Sequence, residues 1–235
     1  MESSTVAGAA APRVVAPSFL ERWAPAAGTL FAALFVVAVV IGFAGLDTGN
    51  KLPEVTQNFA SEDYQSTGGF VFILVLLSAL CFLWFLADLT ATMRSLSRGM
   101  LALLVPVGGV VFIAAFVAGA AVSISPLLVV GHSALEGSDP KTVATIYVVL
   151  VEIALGLFGL AGIAGALMMS AAATVAYRGG LVPRWGLVLV VIGAVIAAIG
   201  SWMFFVPILL VVLWVLVASV RRSIFYRRGV LKPLP

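Results

Sequence analysis

One cysteine, Cys81, and one histidine, His132, occur in 235 residues, and charged side chains make up only 10% of the chain. Each scarcity removes a class of chemistry. A lone cysteine closes no intrachain disulfide and supplies no thiolate cluster for zinc. A lone histidine cannot hold a haem between two imidazoles. His132 lies in the stretch SPLLVVGHSALEGSDPK, where it reads as a solvated loop residue with no serine set up to use it as a base. Lysine is missing from every long apolar run, so a Schiff base of the retinal kind has no donor. The glycines fall in apolar runs, not in a phosphate-cradling loop. Charge this sparse leaves no basic face for nucleic acid. No catalytic residue, metal ligand or cofactor-binding residue emerges, and the chain is not expected to be an enzyme.

What the sequence has in abundance is apolar surface. Hydrophobic residues make up 63% of the chain and the mean hydropathy is +1.20. Ordinary soluble domains carry about 25% charged residues, so lipid is the expected solvent. The richness in Ala, Gly and Val hints at a bacterial source. A hydrocarbon core of about 30 Å takes about 20 helical residues to cross. Six segments fit: 24–46, 69–90, 100–124, 143–177, 185–201 and 203–220. The last two come from splitting one apolar stretch at Gly200 and Ser201, with Pro207 following, as a tight helical hairpin. The expected fold is an all-α membrane helix bundle.

Charge placement orients it. With the N-terminus inside, the inner set is Arg13, Arg22, Arg94, Arg98, Arg178, Arg184, Arg221, Arg222, Arg227, Arg228 and Lys232, against only Lys51 and Lys141 outside. That bias appears only if the hairpin is real. Both termini are therefore expected in the cytoplasm, at the cell (inner) membrane. Arg22-Trp23 and Arg184-Trp185 read as interfacial anchors at helix entries. Residues 1–22 read as a disordered segment and 23–220 as the membrane domain. The first apolar run is longer than a signal-peptide core. In the tail 221–235, Arg221, Arg222, Arg227 and Arg228 are expected to lie on anionic lipid. The loop 47–68, with four acids and one lysine, reads as solvated.

Small residues mark expected packing faces, because lipid removes the hydrophobic drive between helices. Ala115, Gly119 and Ser123 form one stripe. In the fourth segment Glu152 shares a helical face with Gly156, Gly159, Ile163, Ala166, Ser170 and Thr174, while Leu150, Leu157, Met168 and Val175 lie opposite. On this reading Glu152 looks into the bundle and the bulky residues face lipid. Counting back about 20 residues from Arg178 places Glu152 near the outer edge of the membrane, not at its midplane. Asp88 is the second candidate, at the inner end of its segment on a face with Cys81, Trp84, Thr92 and Ser95. A nearby basic residue, with Arg94 and Arg98 closest in sequence, is its expected partner.

Two stretches, GGLVPRWGLVLVVIGAV and PILLVVLWVLVASVRRSIFYRR, resemble a group of small, mostly uncharacterised bacterial multi-span membrane proteins of the domain-of-unknown-function type. The likeness covers the last third of the chain. It implies a six-span inner-membrane protein and carries no catalytic or binding residue with it. The function expected is that of a structural, accessory or regulatory membrane component in contact with the lipid bilayer, a membrane-protein partner or further copies of itself. The alternative is a small transporter or channel subunit with Glu152 and Asp88 as its polar lining.

Overall fold

The computed structural model describes residues 19–45, 62–97, 99–131, 140–199 and 205–227. Among these residues there are six α-helices and no strand: α1 (Phe19–Gly45), α2 (Glu62–Leu96), α3 (Met100–Gly131), α4 (Pro140–Arg178), α5 (Arg184–Ile199) and α6 (Phe205–Arg227). Apolar side chains force this outcome, since a backbone surrounded by hydrocarbon must satisfy its own N–H and C=O groups. Gly200, Ser201, His132 and most of the 47–68 loop lie outside the described residues; the loop's last residues, from Glu62, belong to α2.

Among the described residues, four stretches are long and apolar enough to cross a membrane: Gln65–Leu96, Met100–Ser125, Thr145–Arg178 and Val206–Ile224. The apolar part of α1, Ala26–Gly42, and the whole of α5 are shorter. The 39 residues of α4 extend about 58 Å at 1.5 Å per residue, far beyond one hydrocarbon core.

The turn between α4 and α5 is closed by local chemistry. Leu181 N–H donates to the Ala176 carbonyl at 2.9 Å, and Gly180 N–H donates to the Tyr177 carbonyl at 3.0 Å. This pair of bonds is a Schellman cap, which needs a left-handed residue; Gly180 supplies it at φ 73°. Pro183 then leads into α5, its carbonyl accepting the N–H of Gly186 at 2.9 Å.

Packing contacts give the directions. Gly28 on α1 meets Phe85 on α2, and Gly42 meets Val71. Gly109 on α3 meets Leu86, whereas Gly108 and Gly119 meet Met168 and Phe158 on α4. Each neighbour in sequence thus runs antiparallel to the last. Gly162 and Gly165 on α4 meet Pro207 and Val211 on α6, so those two run parallel. Helices α1, α2, α3, α4 and α6 close a ring, and α5 lies outside it against α4 and α6.

Phenyl rings fill the interior of that ring. Phe31, Phe82 and Phe112 stack in tilted pairs with centroids 5.1 Å apart, and Phe35 reaches Phe116 at 5.4 Å. Phe116 continues to Phe158 at 5.9 Å. The outer surface is equally apolar, with Leu80, Val40, Leu189 and Leu213 all exposed.

A buried ion pair beside an apolar cleft

The buried stripe of α6 is read at three- and four-residue steps: Ile208, Val211, Val215, Ser219 and Arg222. This spacing is the inward face of a helix, and it carries two polar groups into the bundle at its last turns. Ser219 accepts a hydrogen bond from the Thr29 N–H at 3.1 Å, and its hydroxyl pairs with the Thr29 hydroxyl at 3.1 Å. These bonds join α6 to α1.

One turn further on, Arg222 is only 7% exposed. Its Nη2 lies 2.8 Å from Asp88 Oδ2 on α2. The same nitrogen donates to the hydroxyl oxygen of Thr92 and, at 3.4 Å, to the Asp88 carbonyl. The Thr92 hydroxyl proton is committed to that carbonyl at 3.1 Å, which leaves its lone pairs to accept from Arg222. All the named partners meet a single nitrogen. Nε and Nη1 of Arg222 are buried with no hydrogen-bond partner among the described residues.

Beside this pair a cleft of about 690 Å³ runs between α2, α4, α5 and α6. Its walls are aliphatic side chains, methionines and two tryptophans, Trp185 and Trp214; Thr92, Arg221 and Arg222 are the polar side chains in its lining. It exists because α5 presents small residues inward. Gly186, Ala194 and Ala197 are its only buried residues, and a Cβ at Gly193 meets nothing within 4 Å.

Asp88 therefore has a cationic partner, Arg222 on α6 rather than Arg94; Arg98 lies outside the described residues. Arg222 departs from the expectation that it lies on lipid headgroups: the helix continues to Arg227 and turns Arg222 inward. Arg221 is half-buried at the cleft, and the side chain of Arg227 and the whole of Arg228 lie outside the described residues; of the segment 1–22 expected to be disordered, residues 1–18 lie outside them too, whereas 19–22 belong to α1.

Glu152 is also placed differently from expectation. It is exposed on the outside of α4, together with Gly156 and Ile163, and a Cβ at Gly156 meets open space. Met168 and Val175, expected to face lipid, are buried at 0% and 1% exposure. The reason is that lipid and core are equally apolar, so side-chain bulk does not tell one from the other. The other expected packing residues divide. Ala115 and Ala166 are buried, and Gly119 packs on Phe158 and the Ala154 carbonyl. Gly159 is half-buried. Ser123 is exposed and Ser170 half-buried, each donating to a carbonyl of its own helix, Ala120 and Ala166.

Among the described residues no group of three or more His, Cys, Asp or Glu side chains is placed to hold a metal ion. Asp88 and Glu152 do not share a passage: one is closed into the ion pair, the other stands on the outer surface, and the phenyl rings occupy the ring between. Compared with family models, with curated proteins and with solved structures, the chain matches none.

Proposed function

We propose that the chain is a six-span protein of the cell membrane, with both termini in the cytoplasm, that works as a non-catalytic structural, accessory or regulatory component. One observation carries the reading: the bundle is apolar outside as well as inside, while its interior is packed with phenyl rings rather than a polar passage. Alternating helix directions agree with six crossings, and the short apolar parts of α1 and α5 are accommodated by local thinning of the bilayer and by snorkelling of their flanking residues. The excess of Arg and Lys at one end supports a cytoplasmic location for that end.

The orientation is checked with reporter fusions at both termini, at the α2–α3 turn and in the segments 46–61, 132–139 and 200–204. Cytoplasmic signal at both termini and at the α2–α3 turn, with external signal from those three segments, is the expected outcome. The functional class is checked by crosslinking in native membranes, where a component of this type yields a defined adduct with a partner or with itself. Protein that runs alone, with no adduct, counts against it. A flux assay in proteoliposomes tests the transport alternative: no flux above empty vesicles is expected, and flux abolished by Glu152→Gln or Asp88→Asn would replace this reading.

A further inference from the structure

We infer that the cleft between α2, α4, α5 and α6 is a binding site for one acidic phospholipid, with an acyl chain along its apolar wall and the headgroup phosphate at Arg222. The inference rests on the membrane reading above. A volume of about 690 Å³ lies in the range of ligand pockets. The lining is apolar along its length and polar at one end, the division an amphiphile requires. Soluble anions would gain nothing from Leu189, Leu213 and Met169, and a wholly apolar ligand would gain nothing from Arg222.

The charge at the polar end favours an anion. Two guanidinium groups, Arg221 and Arg222, belong to the cleft lining and no carboxylate does; the ion pair of Arg222 with Asp88 is made through Nη2 alone. Nε and Nη1 keep their N–H donors buried and unsatisfied. A buried cation in this state is costly until acceptors reach it. Phosphodiester oxygens are acceptors of the right charge, and a guanidinium binds them through paired N–H groups. Arg222 is itself part of the cleft lining, so its unsatisfied donors belong to the cleft's polar end.

Position makes the lipid the natural occupant. Helix α5 stands outside the ring, so the cleft is at the margin of the bundle, where a membrane lipid enters sideways. Basic pockets between spans on the cytoplasmic side take anionic headgroups by the same physics.

The test uses the full-length chain in phosphatidylcholine vesicles and reads tryptophan fluorescence, since Trp185 and Trp214 line the cleft. Brominated phosphatidylglycerol, brominated phosphatidylcholine and brominated fatty acid are compared at equal mole fraction. The acidic phospholipid is expected to quench at about fivefold lower mole fraction than the zwitterionic one, the factor for one basic side chain at an anionic headgroup. Gly193→Phe fills the cleft from a position with open space and removes the preference. The double variant Asp88→Asn with Arg222→Gln, which leaves no buried charge unpaired, removes it too. Equal quenching by both phospholipids, or a preference kept in both variants, overturns the site and leaves the membrane reading standing. Stronger quenching by the fatty acid overturns the phospholipid assignment. Quenching by none of the three overturns the membrane reading and the inference together.

Discussion

Arg222 and Asp88 lie 134 residues apart in sequence and 2.8 Å apart in space. Their contact joins the last helix to the second, two helices whose backbones otherwise meet little. With the Thr29–Ser219 pair, it fixes α6 against both neighbours at one end of the ring. Polar bonds of this kind specify which faces meet, a choice that apolar packing in lipid leaves open.

The two halves of the pair are not equivalent when broken. A buried carboxyl group left alone escapes its charge by binding a proton, whereas a guanidinium cannot lose one. Asp88→Asn is therefore expected to destabilise by about 3 kcal/mol, and Arg222→Gln by less. The double variant should be more stable than Asp88→Asn. Thermal unfolding of the purified protein in detergent gives the order; additive losses would show that the pair is not coupled.

Glycine positions separate contact from open surface. A Cβ on Gly108 would stand 2.9 Å from the Ala164 carbonyl oxygen and 3.0 Å from the Met168 nitrogen, backbone atoms that cannot swing aside. Gly108→Ala should force α3 and α4 apart at a cost of about 1–3 kcal/mol. Gly156→Ala, where the added atom meets nothing within 4 Å, should be neutral or slightly stabilising through helix propensity. Equal melting temperatures for the two variants would contradict the α3–α4 packing described.

Phenyl packing makes a similar contrast between inside and outside. Phe112 is fully buried, 5.1 Å from Phe82 and 6.2 Å from Phe116 between ring centroids. Phe112→Ala should cost about 3–5 kcal/mol, because the surrounding rings cannot collapse fully into the space. Leu80→Ala, at a site 63% exposed on α2, should change stability little in a lipid-filled detergent micelle. Both are measured in one unfolding series.

Much of the helical order was legible from apolar run length alone. The expected segments 185–201 and 203–220 match α5 and α6 to within a few residues at most ends. The faces were not legible. Small-residue stripes point inward only when bulk marks the lipid side, and here Met168, Phe31, Phe82 and Phe112 are in the core. Arg222 was hidden for a different reason: a basic residue after an apolar run reads as a membrane anchor. The signal that places it inside is the step from Ile208 through Val211, Val215 and Ser219, which continues one turn to Arg222.

Glu152 separates a surface role from a structural one. The side chain is exposed on a flank of α4 that also shows Val149, Ile153 and Gly156, and among the described residues nothing lies within 4 Å of a Cβ placed on Gly156. Removing its charge breaks no internal contact, so Glu152→Gln should shift stability by less than about 0.5 kcal/mol. On the six-span reading proposed above, and on a helix about 58 Å long, the carboxylate is expected beyond or at the rim of the hydrocarbon. A cysteine introduced there, in a chain with Cys81 replaced by alanine, should react with a membrane-impermeant maleimide added from outside intact cells. Protection of that cysteine in cells, with full reaction in detergent, would mean that lipid or a partner covers this flank. In that case Glu152→Gln should be repeated in native membranes, where a shift in crosslinked adducts would assign the flank to a protein contact and an unchanged pattern to lipid.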